Sequence, residues 1–287
     1  MNSLKSIKQL KKARQITVML LSFVFLLSFC FGQNEPAVKK EKLDIDKKSE
    51  EILKKVSDFY AAQKTVQVKV IQETKMDMQG QKNESKREFE VLAEKPNKLF
   101  LKSLSGEGQT IIDVKKMYAY REKAKQYTEK DAPADFVPFI KGDERIDGVG
   151  RFGNNVLLAL TMLSKNPYDT LTQTAEKIEY KGQEDIAGVK QDHLKISEKT
   201  RDFDLWIKSG DKPLIIKSIP DMEKFMKSRG REGQGKMDIT VSFENWKFDE
   251  KIPQEKFSFT PGKDDKKVDA FPPGRWRPDS SATRTEK

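Results

Sequence analysis

The chain has 287 residues, a formal net charge of +10, 36% hydrophobic and 35% charged residues, and a single cysteine. One cysteine excludes an internal disulfide framework and a zinc–thiolate site. The apolar content is sufficient for one hydrophobic core with strongly solvated edges, so we expect one globular domain.

Residues 1–32 have the pattern of an export signal, because a basic stretch without acidic residues precedes the apolar run 16–31. This run is shorter than the roughly 20 residues that span a bilayer, which favours cleavage over a permanent anchor. Two cleavages compete. Signal peptidase would cut after Gly32, whereas a lipoprotein peptidase would cut before Cys30, although Phe29 stands where the lipobox has a small residue. We therefore predict a periplasmic protein, tethered to the outer membrane if Cys30 is lipidated.

The charge distribution gives little sign of a nucleic-acid partner. Five of the ten net positive charges lie in the first 32 residues, which leaves +5 for the remainder. A net charge of this size weakly favours contact with an anionic membrane surface. It is far smaller than the positive charge that is typical of a nucleic-acid-binding domain.

The patterns along the chain predict a tether, one mainly β domain and a tail. Residues 33–44 are polar and lysine-rich and predict a flexible tether, and the domain is predicted to span residues 45–271. Residues 45–60 have apolar side chains at helical spacing, with Asp44 or Asp46 as the N-cap. Short strands with turns at Gly80 and after Pro96 follow, which indicates an antiparallel meander. The proline-rich residues 272–287 predict a disordered tail.

Two apolar segments interrupt the strands. The first is residues 131–140, which contain two prolines and the apolar cluster Phe136, Val137, Phe139 and Ile140, and the second is a short apolar helix predicted for residues 154–163. The second is too short to cross a membrane, so it is expected to be a buried helix or a plug.

Two features resemble catalytic or binding sites, but each lacks residues that such a site requires. Residues 230–236 match the G-x-x-x-x-G-K pattern of a phosphate loop, but Met237 replaces the magnesium-binding Ser or Thr, and a strand pattern follows. His193 is the only histidine, which excludes a multi-histidine metal site, and it is expected to be an ordinary strand residue. No cofactor, metal or catalytic residue is predicted, and the protein is expected not to be an enzyme.

Several short motifs resemble one family. The segment Glu94–Phe100 contains Pro96, Asn97 and Leu99, the next hairpin contains Asp113, Lys115, Met117 and Tyr118, and a later strand reads Leu205-Trp206-Ile207. These are similar to motifs of the DUF2092 predicted periplasmic proteins, within the lipoprotein-carrier superfamily typified by LolA and LolB. The chain departs from that pattern at Lys95, where the family has arginine, and at Val114, where it has glycine.

The resemblance implies an α+β, mainly β fold, in which a curled antiparallel half-barrel sheet has helices covering its concave face. It further implies a hydrophobic cavity for lipid or lipoprotein acyl chains, as in a carrier, chaperone or sensor. The expected cavity residues are Val66, Val68, Val70, Phe89, Val91, Leu99, Leu101, Tyr118 and Trp206. The expected lid residues are Lys95, Phe136, Phe139, Ile140, Leu158 and Met162.

Two other functions remain open at this stage. One is a structural or interaction module of the cell envelope with a filled core, no ligand and an envelope protein partner. The other is a hydrolase whose two carboxylates meet across the sheet, because such a pair leaves no spacing signature.

Overall fold

The computed structural model describes residues 42–78, 80–141, 157–186, 188–233 and 235–271. The predicted leader, Cys30, most of the predicted tether and the predicted tail lie outside these residues. None of the helices within these ranges is long and apolar enough to cross a membrane.

In the part of the chain that the structure describes, the domain is built on one open sheet of thirteen strands. The strands are β1 (Asp44–Ile45), β2 (Thr65–Met78), β3 (Gln81–Glu94), β4 (Lys98–Ser103), β5 (Gln109–Ile112), β6 (Lys116–Arg121), β7 (Gln126–Asp131), β8 (Ala175–Ile186), β9 (Val189–Glu198), β10 (Asp202–Lys208), β11 (Ile215–Pro220), β12 (Lys236–Phe248) and β13 (Lys266–Lys267). Their order in the sheet is β1-β8-β9-β10-β11-β12-β2-β3-β4-β5-β6-β7-β13.

Five helices within the described ranges accompany the sheet. They are α1 (Lys47–Ala62), α2 (Val137–Lys141), α3 (Leu157–Met162), α4 (Pro167–Thr172) and α5 (Met222–Ser228), and a 3-10 turn covers Gln254–Phe257. The predicted apolar helix 154–163 thus corresponds to α3, and the part of that prediction before residue 157 lies outside the described residues.

The prediction of a purely antiparallel sheet is wrong at both edges. β1 runs parallel to β8, and β13 runs parallel to β7, so the sheet is mixed. Each of these edge strands is only two residues long, and each belongs to a segment that flanks the antiparallel run of eleven strands. Strands this short have no alternating pattern that a sequence could reveal.

The long central hairpin follows the predicted alternation. β2 and β3 pair along their whole lengths, with Val68 opposite Val91 and Val70 opposite Phe89. The turn contains Gly80 with φ of 84°, a left-handed conformation that glycine adopts without the steric cost of a Cβ atom. Asp77 stabilises this turn by accepting a hydrogen bond from the Gly80 N–H at 3.0 Å.

Alternation gives the sheet two different faces. One face carries Val68, Val91, Leu101, Leu194 and Leu205, all of which are buried in the main hydrophobic cluster, and we call it the core face. The same cluster includes buried residues from α1, α3 and α4. On the opposite face, a smaller cluster joins β3, β4 and β5 to the C-terminal segment, and its members are Leu92, Phe100, Ile111, Ile252 and Phe257.

Helix α1 begins at an aspartate that links it to the sheet. The Asp46 carboxylate accepts hydrogen bonds from the Ser49 N–H at 2.9 Å and the Tyr180 N–H at 2.7 Å. The first bond is a typical N-cap, and the second attaches the helix start to β8. Burial acts to raise the pKa of Asp46, but hydrogen bonds from Ser49, Tyr180 and Lys48 outweigh it and hold the pKa below its ordinary value.

Asp46→Asn is therefore expected to lower the free energy of unfolding at neutral pH by about 0.5–1.5 kcal/mol, because the single amide oxygen can keep the bond from the Ser49 N–H but the amide NH2 cannot accept from the Tyr180 N–H, and the negative charge is lost. A carboxyl with a depressed folded-state pKa contributes stability above its unfolded-state value, here 3.8, and loses it as the pH falls further. The difference between wild type and variant should therefore shrink below about pH 4. Urea unfolding at a series of pH values measures it, and a difference that is constant with pH would contradict the argument.

Candidate ligand-binding face

Seven of the nine predicted cavity residues lie together on the core face. They occupy adjacent strands β2, β3 and β4, where each is at most 3% exposed, and they are Val66, Val68, Val70, Phe89, Val91, Leu99 and Leu101. Register places them side by side, since Val68 pairs with Val91 and Val91 pairs with Leu101. The result is a continuous apolar surface across three strands.

The structure does not place Tyr118 in this group. Tyr118 lies on the opposite face of β6, where its ring stacks on Phe259 with the ring centroids 5.3 Å apart. Its strand neighbour Met117 is the residue that faces the core cluster. Tyr118 is therefore removed from the candidate ligand-binding residues.

Trp206 also lies on the opposite face. Its indole ring is stacked on His193 at 4.2 Å, and the Lys217 ammonium lies 3.7 Å from the ring centroid. The indole N–H donates to Glu184 at 3.2 Å. The Trp206 side chain is thus buried on the opposite face by His193 and Lys217, with its N–H bonded to Glu184, whereas its neighbours Leu205 and Ile207 face the core cluster.

His193 has the role of a hydrogen-bonded strand residue. Its Nε2 lies 2.7 Å from Asp204 and its Nδ1 lies 3.2 Å from Glu184. Within the described ranges, no group of three or more metal-binding side chains is present. Strand β12 begins at Lys236, as the sequence predicted, so the G-x-x-x-x-G-K motif leads into a strand and not into a helix that could bind phosphate.

Five of the six predicted lid residues pack on the core cluster. Phe136, Phe139 and Met162 are at most 2% exposed and belong to the cluster, and Ile140 and Leu158 are partly buried against it. They come from α2, α3 and the residue just before α2. Because α2 and α3 have only five and six residues, their own hydrogen bonds stabilise them little, and apolar contact with the cluster must hold them.

Lys95 binds a different element from the other predicted lid residues. Its ammonium donates to the carbonyls of Tyr60 and Ala61, both at 3.0 Å, at the C-terminal end of α1. The last turn of α1 has no basic residue of its own, so Lys95 supplies the positive charge that this helix end favours. Burial lowers the pKa of Lys95, and the nearby Asp249 carboxylate partly opposes this effect.

Lys95→Met is expected to lower the free energy of unfolding by about 1–2 kcal/mol, because it removes both hydrogen bonds, and the Tyr60 carbonyl then keeps only the bond from the Gln63 N–H. Lys55→Met on the exposed side of α1 is the matched control, with an expected change within about 0.5 kcal/mol. Denaturant unfolding of both variants measures the effect. Equal stabilities would show that Lys95 does not hold α1.

Asn97 connects two loops near the lid segment. Its side-chain amide donates to the carbonyls of Val114 at 3.3 Å and Pro133 at 2.8 Å, and the residue is 4% exposed. Pro133 lies in the segment that leads to α2. Asp113 forms the neighbouring turn by accepting from the N–H groups of Lys115 and Lys116, both at 2.6 Å. The Pro-Asn and Asp-x-Lys motifs are therefore explained by backbone anchoring.

The sequence prediction missed the half of the core face on β9–β12. Buried residues there include Leu194, Leu205, Ile207, Val241 and Phe243. The sequence did contain a signal for part of this region. In a strand Leu205 and Ile207 lie on the face opposite to Trp206, so the two aliphatic residues could have been assigned to the core face in its place.

A family model for DUF2092, described as a predicted periplasmic protein, matches residues 49–271. The chain belongs to the DUF2092 family. This confirms the resemblance stated from the sequence, and the family description agrees with the predicted periplasmic location. The search of curated proteins found no match.

Solved structures similar to this DUF2092 protein have low sequence identity. A LolA-superfamily protein from Nitrosomonas europaea is 13% identical, with coverage of 74% of this chain and 97% of that chain and a TM-score of 0.35. LprF from Mycobacterium bovis is 11% identical, with coverage of 72% and 97% and a TM-score of 0.39. Lipoprotein LppX from Mycobacterium tuberculosis is 10% identical, with coverage of 71% and 96% and a TM-score of 0.31.

Proposed function

We propose that this DUF2092 protein binds lipid or lipoprotein acyl chains on its core face, as a carrier, chaperone or sensor without catalytic activity. In this proposal the sheet is curled as a half-barrel, and the helices cover its concave side. The observation that supports it is the pairing of a wide apolar face with two short helices, α2 and α3, that apolar contact holds in place.

Displacing α2 and α3 would cost little regular structure. An acyl chain could replace the apolar contacts of Phe136, Phe139 and Met162, and burial of each methylene group contributes about 0.8 kcal/mol. A chain of ordinary length therefore has enough apolar surface to compete with the two short helices. The role requires no catalytic residue, because only burial drives binding.

The competing function is an envelope interaction module with a filled core. The complete burial of Phe89, Val91 and Leu101 favours it, since no part of these side chains is left for a ligand in this conformation. The two functions differ in one measurable property. The carrier must open to admit a chain, and the filled module must not.

A hydrolase with facing carboxylates receives no support on the core face of β9. The Asp192 carboxylate accepts hydrogen bonds from the side chains of Tyr180, Gln183 and Ser209. Glu198, at the other end of the same strand, is engaged by Thr174 and Arg201. The two carboxylates have separate sets of partners and form no pair.

Titration of protein produced from the full-length sequence with a fluorescent long-chain fatty acid tests the proposal. Saturable binding that unlabelled fatty acid displaces is the expected result. Fluorescence that rises without saturation, or that resists displacement, would contradict the proposal and favour the interaction module.

A further inference from the structure

The core face changes from apolar to polar toward one end of four neighbouring strands. Along β2 the row of valines is followed by Gln72 and Thr74, and along β3 Phe89 is preceded by Arg87. Leu101 on β4 is followed by Ser103, and Ile112 on β5 is preceded by Thr110. Register brings these positions together, because Gln72 pairs with Arg87 and Ser103 pairs with Phe89. We call Gln72, Thr74, Arg87, Ser103, Glu107 and Thr110 the polar end of the core face.

Two polar atoms in the polar end are buried and have no hydrogen-bond partner. They are the Ser103 hydroxyl oxygen and the Glu107 Oε2. Ser103 as a whole residue is 0% exposed. A buried polar atom without a partner is rare in native proteins and needs an explanation, such as a bound molecule that supplies the missing hydrogen bond.

The polar end is also where the core face approaches solvent. Along β3, Phe89 is fully buried, the Arg87 side chain is 21% exposed, and Ser85 is exposed. Arg87 Nε lies 3.5 Å from Glu107 Oε1, which positions the glutamate beside this row. The face therefore becomes accessible to solvent at Arg87 and Glu107, whereas Gln72, Ser103 and Thr110 beside them remain buried.

We propose that the polar end binds the head group of an amphiphile whose acyl chains lie on the apolar part of the core face. This inference rests on the proposed function, and it adds the chemical class of the head group. An ionised carboxylate only accepts hydrogen bonds, so Glu107 Oε2 requires a ligand with an N–H or O–H donor. The Ser103 hydroxyl can accept a hydrogen bond as well as donate one, and in this proposal its oxygen accepts from the same N–H or O–H donor group.

A comparison of two lipids tests the donor requirement without any mutation. Phosphatidylethanolamine and phosphatidylcholine with identical acyl chains share the phosphate and the glycerol, but only the ethanolamine carries N–H donors. The wild-type protein should bind phosphatidylethanolamine at least about tenfold more tightly, the effect of one charge-assisted hydrogen bond to a buried acceptor. Competition against the fluorescent fatty acid gives both affinities.

Two variants locate the preference. Glu107→Gln and Ser103→Ala should each reduce it toward equal binding, and Glu73→Gln, on the exposed opposite side of β2, should leave it unchanged. Persistence of the preference in both Glu107→Gln and Ser103→Ala would overturn the assignment. Equal binding of the two lipids by wild type would overturn the head-group inference alone. Binding of neither lipid, nor of fatty acid, would overturn the proposed function as well.

If Glu107→Gln fails to fold, Ser103→Ala together with the wild-type comparison still decides the question, because removing one hydroxyl oxygen changes the packing least. Far-UV circular dichroism of each variant shows whether the sheet is intact.

Discussion

Tyr60→Phe is expected to lower the free energy of unfolding by about 1–3 kcal/mol although the aromatic ring is retained. Tyr60 on α1 is 0% exposed, and its hydroxyl oxygen accepts a hydrogen bond from the Ile215 N–H of β11 at 3.1 Å. Phenylalanine would leave this backbone N–H buried without a partner. The loss is large because the bond joins the helix to the second half of the sheet.

The pH dependence of this effect has a definite sign. Burial raises the pKa of Tyr60 above its ordinary value of 10.0, and the hydrogen bond from Ile215 opposes this only in part. A group with a raised folded-state pKa contributes its stability below the unfolded-state pKa and loses it as the pH rises. The advantage of tyrosine over phenylalanine should therefore persist through neutral pH and decline above about pH 10.

Tyr168→Phe provides the control, because Tyr168 on α4 is only half-buried. Its stability should stay within about 0.5 kcal/mol of wild type. Guanidinium unfolding of the two variants gives the comparison. Similar losses in both would show that the contact between Tyr60 and Ile215 does not attach α1 to the sheet.

Replacement of both Phe139 and Ile140 with aspartate is expected to weaken acyl binding at least tenfold, which corresponds to about 1.4 kcal/mol. Phe139 is 2% exposed in the core cluster, and Ile140 packs against it. Two carboxylates cannot enter that cluster without losing their hydration, so α2 would remain away from the face and could not cover a bound chain. The sheet itself should persist, because α2 contributes no strand hydrogen bond to it.

Ile186→Asp is the matched control, since Ile186 is an exposed apolar residue at the end of β8. Fatty-acid titration and far-UV circular dichroism of both proteins separate the two functions. Unchanged binding in the double variant would refute a lid role for α2. Loss of the sheet signal would show that α2 is an obligatory part of a filled core.

Local periodicity was sufficient to predict much of the fold. The helical spacing of Ile52, Leu53 and Val56 predicted α1, and the alternation of Val66, Val68 and Val70 predicted the start of β2. Turn residues such as Gly80 placed the hairpin correctly. These features depend on neighbours along the chain, which a single sequence displays.

The two incorrect assignments, Tyr118 and Trp206, concern which face of the sheet a side chain lies on. In β6 both Met117 and Tyr118 are compatible with burial, and the choice is made by Phe259, a residue far along the chain that packs on Tyr118. Trp206 has apolar neighbours on both sides, and His193 and Lys217 on the adjacent strands hold it on the opposite face. Such choices depend on tertiary contacts, so composition and spacing could not reveal them.

The polar end could have been found from the sequence. Alternation places Gln72 in the row of Val66–Val70 and Arg87 in the row of Phe89–Val91, and a change from apolar to polar within a row is visible without a structure. The unpartnered atoms of Ser103 and Glu107 could not have been predicted, because they depend on the geometry of the β4–β5 turn.

The central claim is that this DUF2092 protein takes acyl chains onto its core face. Mass spectrometry of the protein purified from the periplasm after expression of the full-length sequence tests it most directly, with organic extraction of bound lipids and measurement of the intact polypeptide mass. The account predicts co-purifying acyl lipid at near-stoichiometric amounts in wild type and a marked loss in the variant with aspartate at positions 139 and 140. Protein free of lipid after purification, which also takes up none when lipid is supplied, would contradict it.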